Sequence, residues 1–161
     1  MMNERSPTQK LFATPAPGPV VLLRVAIAFV FVTEGIQKFL YPDALGVGRF
    51  AKIGIPAPEL TAPFVGGVEI VCGALILIGL MTRLGAFALM IDMVVAITST
   101  KLPMLFGHGF WGFADPAGRS GFWAMAHEAR TDIAMLLGCA FLVAVGADAM
   151  SLDRRLAQRS P

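Results

Sequence analysis

Four hydrophobic runs, at about residues 19–40, 61–81, 84–106 and 123–147, are each long enough to cross a lipid bilayer, and inside them sit seven charged side chains. Those seven are Arg24, Glu34, Glu69, Asp92, Glu128, Arg130 and Asp132. Each Asp or Arg at the centre of a membrane helix costs about 2.5–3.5 kcal/mol on insertion scales, so these groups are expected to face one another in the protein interior.

Only helices and closed barrels satisfy every backbone amide in hydrocarbon, and the runs lack the two-residue alternation of barrel strands. The expected fold is therefore all-α: an integral membrane four-helix bundle, up-down-up-down. Just Thr82 and Arg83 separate the second run from the third, which requires a tight antiparallel hairpin. The spans occupy residues 19–150, between a flexible cytoplasmic tail at 1–18 and a cytoplasmic C-terminal tail at 151–161. A cleaved signal is the competing reading of the N-terminus, but the run from Val20 exceeds the 7–15 residues of a signal core.

The 56% hydrophobic and 15% charged content fits a membrane chain of 161 residues with no sizeable extramembrane domain. A net charge of +2 without a basic, aromatic-interleaved stripe excludes nucleic acid as the expected partner. Arg5, Lys10, Arg83, Arg154, Arg155 and Arg159 outnumber Arg49, Lys52 and Arg119 on the other side, which places both termini in the cytoplasm of a cell (inner) membrane. Cys72 and Cys139 lie in different runs, roughly 8 Å apart in depth, so no disulfide is expected between them.

Counting 1.5 Å per residue from the non-cytoplasmic ends puts Glu34, Glu69, Arg130 and Asp132 in one layer about 9–14 Å deep. Gln37, Lys38, His127 and Glu128 lie nearer that surface, and Asp92, reached from the opposite side, forms the floor. Glu34 and Lys38 are spaced i,i+4 and His127 and Arg130 i,i+3, so each pair shares a helix face. Arg130, with its planar fork, is expected to pair with Glu69 or Glu34 from another helix. Five carboxylates against two arginines leave an acidic excess that must bind protons or a ligand, with Asp92 the candidate neutral acid. An ion-pair network that only fixes helix packing is the plainer alternative.

The loop between Pro103 and Trp123 carries Phe106, His108, Phe110, Trp111, Phe113 and Phe122 among five glycines. It reads as an interfacial aromatic belt or as a lid formed by His108, Phe110 and Trp111. Ala62-x-x-x-Gly66 and Ala134-x-x-x-Gly138 offer close helix approach. No metal site is expected, since His127-Glu128 lacks the second histidine of H-E-x-x-H. No haem, flavin or iron–sulfur motif is present, so no covalent cofactor is expected.

Gly35-Ile-Gln-Lys-Phe39, Gly54-Ile-Pro-Ala-Pro58, Gly67-Val-Glu69 leading to Gly73-Ala-Leu-Ile-Leu-Ile-Gly79-Leu, Thr82-Arg83, His127-Glu128 and Ser151-Leu-Asp-Arg154 together resemble the DoxX family over about residues 20–156. The resemblance implies a four-helix membrane protein with Gln37, Lys38, Glu69 and Glu128 at family-typical positions. It also implies association with quinone-linked redox complexes, since the family is named after a subunit associated with a thiosulfate:quinone oxidoreductase.

The resulting expectation is a membrane subunit that binds a quinone or other lipid-like ligand and supports the redox chemistry of a partner protein. The ligand-binding or proton-exchanging candidates are Glu34, Gln37, Lys38, Glu69, Asp92, His127, Glu128, Arg130 and Asp132, with no catalytic residue assigned. A proton-coupled small-solute transporter and a non-catalytic assembly scaffold remain open, and a homo-oligomer is compatible with each.

Overall fold

A computed structural model describes residues 17–147 and 150–159; the first 16 residues of the expected N-terminal tail lie outside the described residues. Among the described residues the secondary structure is entirely helical. Helix α1 spans Val20–Leu40, α2 Val47–Ile53, α3 Pro58–Ile78 and α4 Thr82–Ala96. A π-helical turn, Ile97–Lys101, then leads into α5, Leu102–Phe106, followed by α6, Phe122–Val145, and α7, Leu152–Arg159.

Local chemistry sets these boundaries. Pro42 follows Tyr41, the residue that closes α1, and the residue before a proline is biased away from helical backbone. Pro58 occupies the first turn of α3, where its missing N–H costs nothing, and Glu59 beside it complements the positive helix end. Gly79 ends α3 in the left-handed region at φ 70°, with its N–H and that of Leu80 closing on the carbonyls of Ile76 and Leu75. A side chain at Gly79 would also meet Ser151 and Arg24, so the hairpin needs glycine twice over.

Val20–Leu40, Pro58–Ile78 and the continuous stretch Thr82–Phe106 are long and apolar enough to cross a membrane. Helix α6 has 24 residues, but its first half contains His127, Glu128, Arg130 and Asp132 and is too polar to join them. The expected fourth run therefore folds as a helix of spanning length whose apolar part is only its second half.

Helix α1 packs chiefly on α3 and α4 on α6, while α1 and α6 touch sparingly. The α1–α3 approach is close: a Cβ on Gly35 would stand 2.7 Å from the Gly66 carbonyl oxygen. Ala62 and Gly66 are both buried there, as the first small-residue pair predicts. In the second pair Gly138 packs under Ile27 and Leu23, whereas Ala134 is exposed. Ile27, Phe31, Ile76, Leu89 and Leu142 form the core, and Leu22, Phe29, Phe64, Phe87 and Phe141 point outward.

Arg24, expected to face interior carboxylates, is bonded to backbone carbonyls. Its Nε donates to Ile76 O (2.9 Å), which also accepts from Gly79 N–H, and its Nη2 to Leu77 O (2.6 Å), both at the C-terminus of α3. Arg83 does the same for α6, donating through Nη1 to Val143 O (2.7 Å) and Ala144 O (3.0 Å). Both guanidiniums lie at the negative end of a helix dipole, which supplies part of the compensation that a carboxylate would.

The expected C-terminal tail is also more ordered than a tail. Asp153 is buried and accepts from the backbone N–H groups of Met81 (2.7 Å) and Thr82 (3.0 Å), capping α4 from outside its own sequence neighbourhood. The Asp153 N–H in turn donates to Gly79 O at 2.8 Å. Asp153, with Ser151 beside Gly79, thus pins the α3–α4 hairpin.

Candidate functional site: a polar cavity inside the bundle

The chain turns irregular where α4 meets α5, and the cause is local. Pro103 has no N–H to give the carbonyl four residues earlier, and its ring crowds that position, Ser99. The backbone widens into the π turn Ile97–Lys101, and the hydroxyls of Thr98, Ser99 and Thr100 fold back onto the carbonyls of Val94 and Ala96. That widened turn swings Ser99, Thr100 and Lys101 into a cavity of about 650 Å³.

The cavity is walled by α1, α3, α4 and α6 and mixes apolar side chains such as Phe31, Val65, Met93 and Met135 with polar ones. Glu34, Gln37, Lys38, Glu69, Asp92, Glu128 and Asp132 all line it, as the depth count anticipates. Lys38 and Glu69 form its central ion pair, Nζ to Oε2 at 2.5 Å, with Glu69 only 3% exposed. Lys101 stands 3.5 Å from Asp132. Asp92 borders Glu69, carboxyl to carboxyl, and beyond that neighbour its buried Oδ2 receives no hydrogen bond from the described residues.

Several pairings differ from the expected ones. Lys38 crosses to Glu69 on α3 instead of pairing with Glu34 on its own helix, leaving Glu34 exposed at the cavity edge. Arg130 contacts neither Glu69 nor Glu34: it is exposed, outside the cavity lining, and its Nη1 is 2.6 Å from His127 Nδ1. His127 lies outside the lining with it. The reason is helical phase. Glu128, Thr131, Asp132 and Met135 share the face of α6 that looks into the cavity, and at 100° per residue His127 and Arg130 fall on another. Depth alone carries no azimuth.

The lid also differs. His108, Phe110 and Trp111 do not line the cavity; α2 and its flanks cover it through Leu45, Arg49, Phe50, Ile53 and Ile55. The aromatic loop forms its own cluster, with Phe110 edge-on to Phe106, Trp111 and Phe113 at 5.3–6.3 Å between centroids. It supports the true roof from behind, since Ala114 N–H donates to Ile53 O at 3.1 Å and Gly54 leaves no room for a side chain against Gly112 O. Trp111 and Trp123 are more than four-fifths exposed, in keeping with the interfacial-belt alternative.

Arg49, Ser99, Thr100 and Lys101 stand outside the set of residues that the sequence singles out. Pro103 is the available signal for the last three, because a proline inside an apolar run displaces the turn before it. Cys72 and Cys139 are both free thiols, neither in the cavity wall. The described residues contain no group of three or more His, Cys, Asp or Glu that could hold a metal.

Long apolar helices around an interior polar cavity define a multi-span, all-helical membrane protein. The chain belongs to the DoxX family, whose model matches residues 20–109. It is 52% identical to the uncharacterized membrane protein Rv3486 of Mycobacterium tuberculosis, over 94% of this chain and 89% of the relative. It is 31% identical to the inner membrane protein YphA of Escherichia coli, over 92% of this chain and 99% of that protein. An uncharacterized protein of Haemophilus influenzae shares 30% identity, over 84% of this chain and 89% of its own length. No solved structure matches the chain.

Proposed function

We propose that this protein is a membrane subunit that binds a quinone or similar lipid-like molecule in the interior cavity and supports the redox chemistry of a partner protein. The observation that carries this reading is the cavity itself: about 650 Å³, apolar over much of its wall and charged at its centre. Ligand sites have that make-up, an apolar slot with a few convergent polar groups. A ring with a short isoprenoid tail is of a size with the volume, and Lys38 in the wall carries N–H donors of the kind that headgroup oxygens require. A scaffold would be expected to close these groups upon one another, and the open volume between the helices argues against that.

The test is chemical. Protein purified in mild detergent, extracted with organic solvent and examined by mass spectrometry should yield a retained quinone or isoprenoid, and Glu69→Gln should lower that yield without loss of folding. Retention that is absent from wild type, or identical in a well-folded variant, would remove the reading.

The same proposal includes an up-down-up-down arrangement of α1, α3, the α4–α5 stretch and α6, with both termini on the cytoplasmic side of the inner membrane. Reporter fusions should give a cytoplasmic signal after residue 161 and a periplasmic one at residue 50; the reverse pattern would invert the orientation. One feature favours proton-coupled transport as a second reading. The π turn before Pro103 interrupts a spanning helix beside buried carboxylates, which is how carriers build their binding sites.

A further inference from the structure

Six residues belong to two surfaces at once, lining the cavity while exposed on the outside of the molecule: Glu34, Arg49, Phe64, Val95, Glu128 and Thr131. Where a residue does both, the cavity opens. Four of the six are polar and sit on α1, α2 and α6, so the mouth they border is unsuited to a hydrocarbon chain. Phe64 of α3 and Val95 of α4 border a different mouth, apolar, and are 71% and 48% exposed. They stand at one height. At 1.5 Å per residue Phe64 lies about 22 Å from Gly79 and Val95 about 20 Å from Thr82, the two sides of the hairpin turn, within the reach of a hydrocarbon core of about 30 Å. Near the hairpin α3 and α4 are close, since a Cβ on Gly85 would stand 3.3 Å from Cys72 O, and Glu69 still meets Asp92 higher up. Beyond Ala96 the π turn and Pro103 carry the chain along α6, and the π turn and α5 touch α3 sparingly at most. The seam between α3 and the α4–α5 stretch therefore parts at the level of Phe64 and Val95, where it faces lipid.

Resting on the quinone reading above, we propose that the cavity takes a long-tailed amphiphile from the bilayer through this lateral window: the ring sits inside, and the tail leaves between Phe64 and Val95 into the lipid. About 650 Å³ holds a ring and a short length of chain, so a longer tail needs an exit. An exit at this height keeps that tail among acyl chains and out of water. The other approach is roofed by α2 and its flanks, with Phe50 buried and Leu45, Ile53 and Ile55 half-buried over the cavity. The window also narrows the ligand class. A small water-soluble solute gains nothing from an apolar mouth in hydrocarbon, whereas a lipid-soluble ligand is already dissolved at that depth.

Closing the window tests it. In the full-length protein with Cys72 and Cys139 replaced by alanine, Phe64→Cys and Val95→Cys are bridged with a short bismaleimide. Bridged and unbridged samples in detergent are incubated with a long-tailed quinone or with the same ring lacking a tail, then washed, extracted and analysed by mass spectrometry. Bridging should lower uptake of the long-tailed quinone at least about tenfold and that of the tailless ring less than about twofold, since the ring still enters by the polar mouth. A bridge across the polar mouth, between Val30→Cys and Thr131→Cys, should spare the long-tailed quinone relative to the same protein unbridged. Equal uptake of the long-tailed quinone with the window open and bridged, an equal fall for both ligands, or a block by the polar-mouth bridge alone would overturn the window while leaving the quinone reading intact. Retention of neither ligand by wild type would overturn both. Should the cysteine variant fail to fold or to bind, Val95→Trp takes its place: it fills the mouth from a lipid-facing position and should lower uptake of the long-tailed quinone relative to the tailless ring. An unchanged ratio there would overturn the window.

Discussion

The two ends of the bundle treat buried polar groups in opposite ways. At the hairpin end, Arg24 and Asp153, each 3% exposed, are bonded to backbone atoms: the guanidinium to the last carbonyls of α3, the carboxylate to the first N–H groups of α4. At the cavity end, Lys38–Glu69, Lys101–Asp132 and Glu69–Asp92 meet side chain to side chain. Backbone partners cannot move without unwinding a helix, so the first arrangement is a lock. Side-chain partners can exchange, so the second arrangement can take a ligand. Buried charge is therefore weak grounds for assigning a site; what matters is whether its hydrogen-bonding capacity is already used.

Substitutions at each end should separate the two kinds of group. The largest loss is expected for Arg24→Ala, which removes two charge-assisted bonds and takes the guanidinium donor from the Leu77 carbonyl, at a cost of about 3 kcal/mol. A melting temperature in detergent equal to wild type would show that this end is no lock. Asp153→Asn keeps the shape but loses the second acceptor oxygen that caps Thr82, so a smaller fall of about 1–2 kcal/mol is expected. If removal of residues 151–161 proved less damaging than Asp153→Asn, the capping account would fail. Arg130→Ala should change stability least, within about 0.5 kcal/mol, because its side chain is exposed and hydrogen-bonded only to the neighbouring turn among the contacts seen. A loss as large as that of Arg24→Ala would restore Arg130 to an interior network and blur the contrast between the ends.

The helices are legible in the lengths of the apolar runs, and the hairpin in the two residues that separate the second run from the third. The depth layer follows from a rise of 1.5 Å per residue, which is why seven of the nine candidate residues do line the cavity. Arg130 and His127 fall outside it because depth says nothing of which way a helix is turned. The lid lies elsewhere than the aromatic loop because aromatic richness marks affinity for an interface, whereas the cover, α2, is a short helix with an ordinary composition.

The sequence by itself determined that the chain is a helical membrane protein with charged groups at a common depth, because hydrocarbon forbids other backbone structures and the rise of a helix is constant. The His127–Arg130 pair follows from i,i+3 spacing, but tertiary structure decided the partners between helices. Lys38 reaches Glu69 because Gly35 and Gly66 let α1 and α3 approach closely, and Lys101 enters the cavity because Pro103 widens the turn before it. Asp153 finds the start of α4 from 71 residues away, a contact that no local pattern encodes. Spacing along one helix places residues on a face, but only the packing of several helices decides which faces meet.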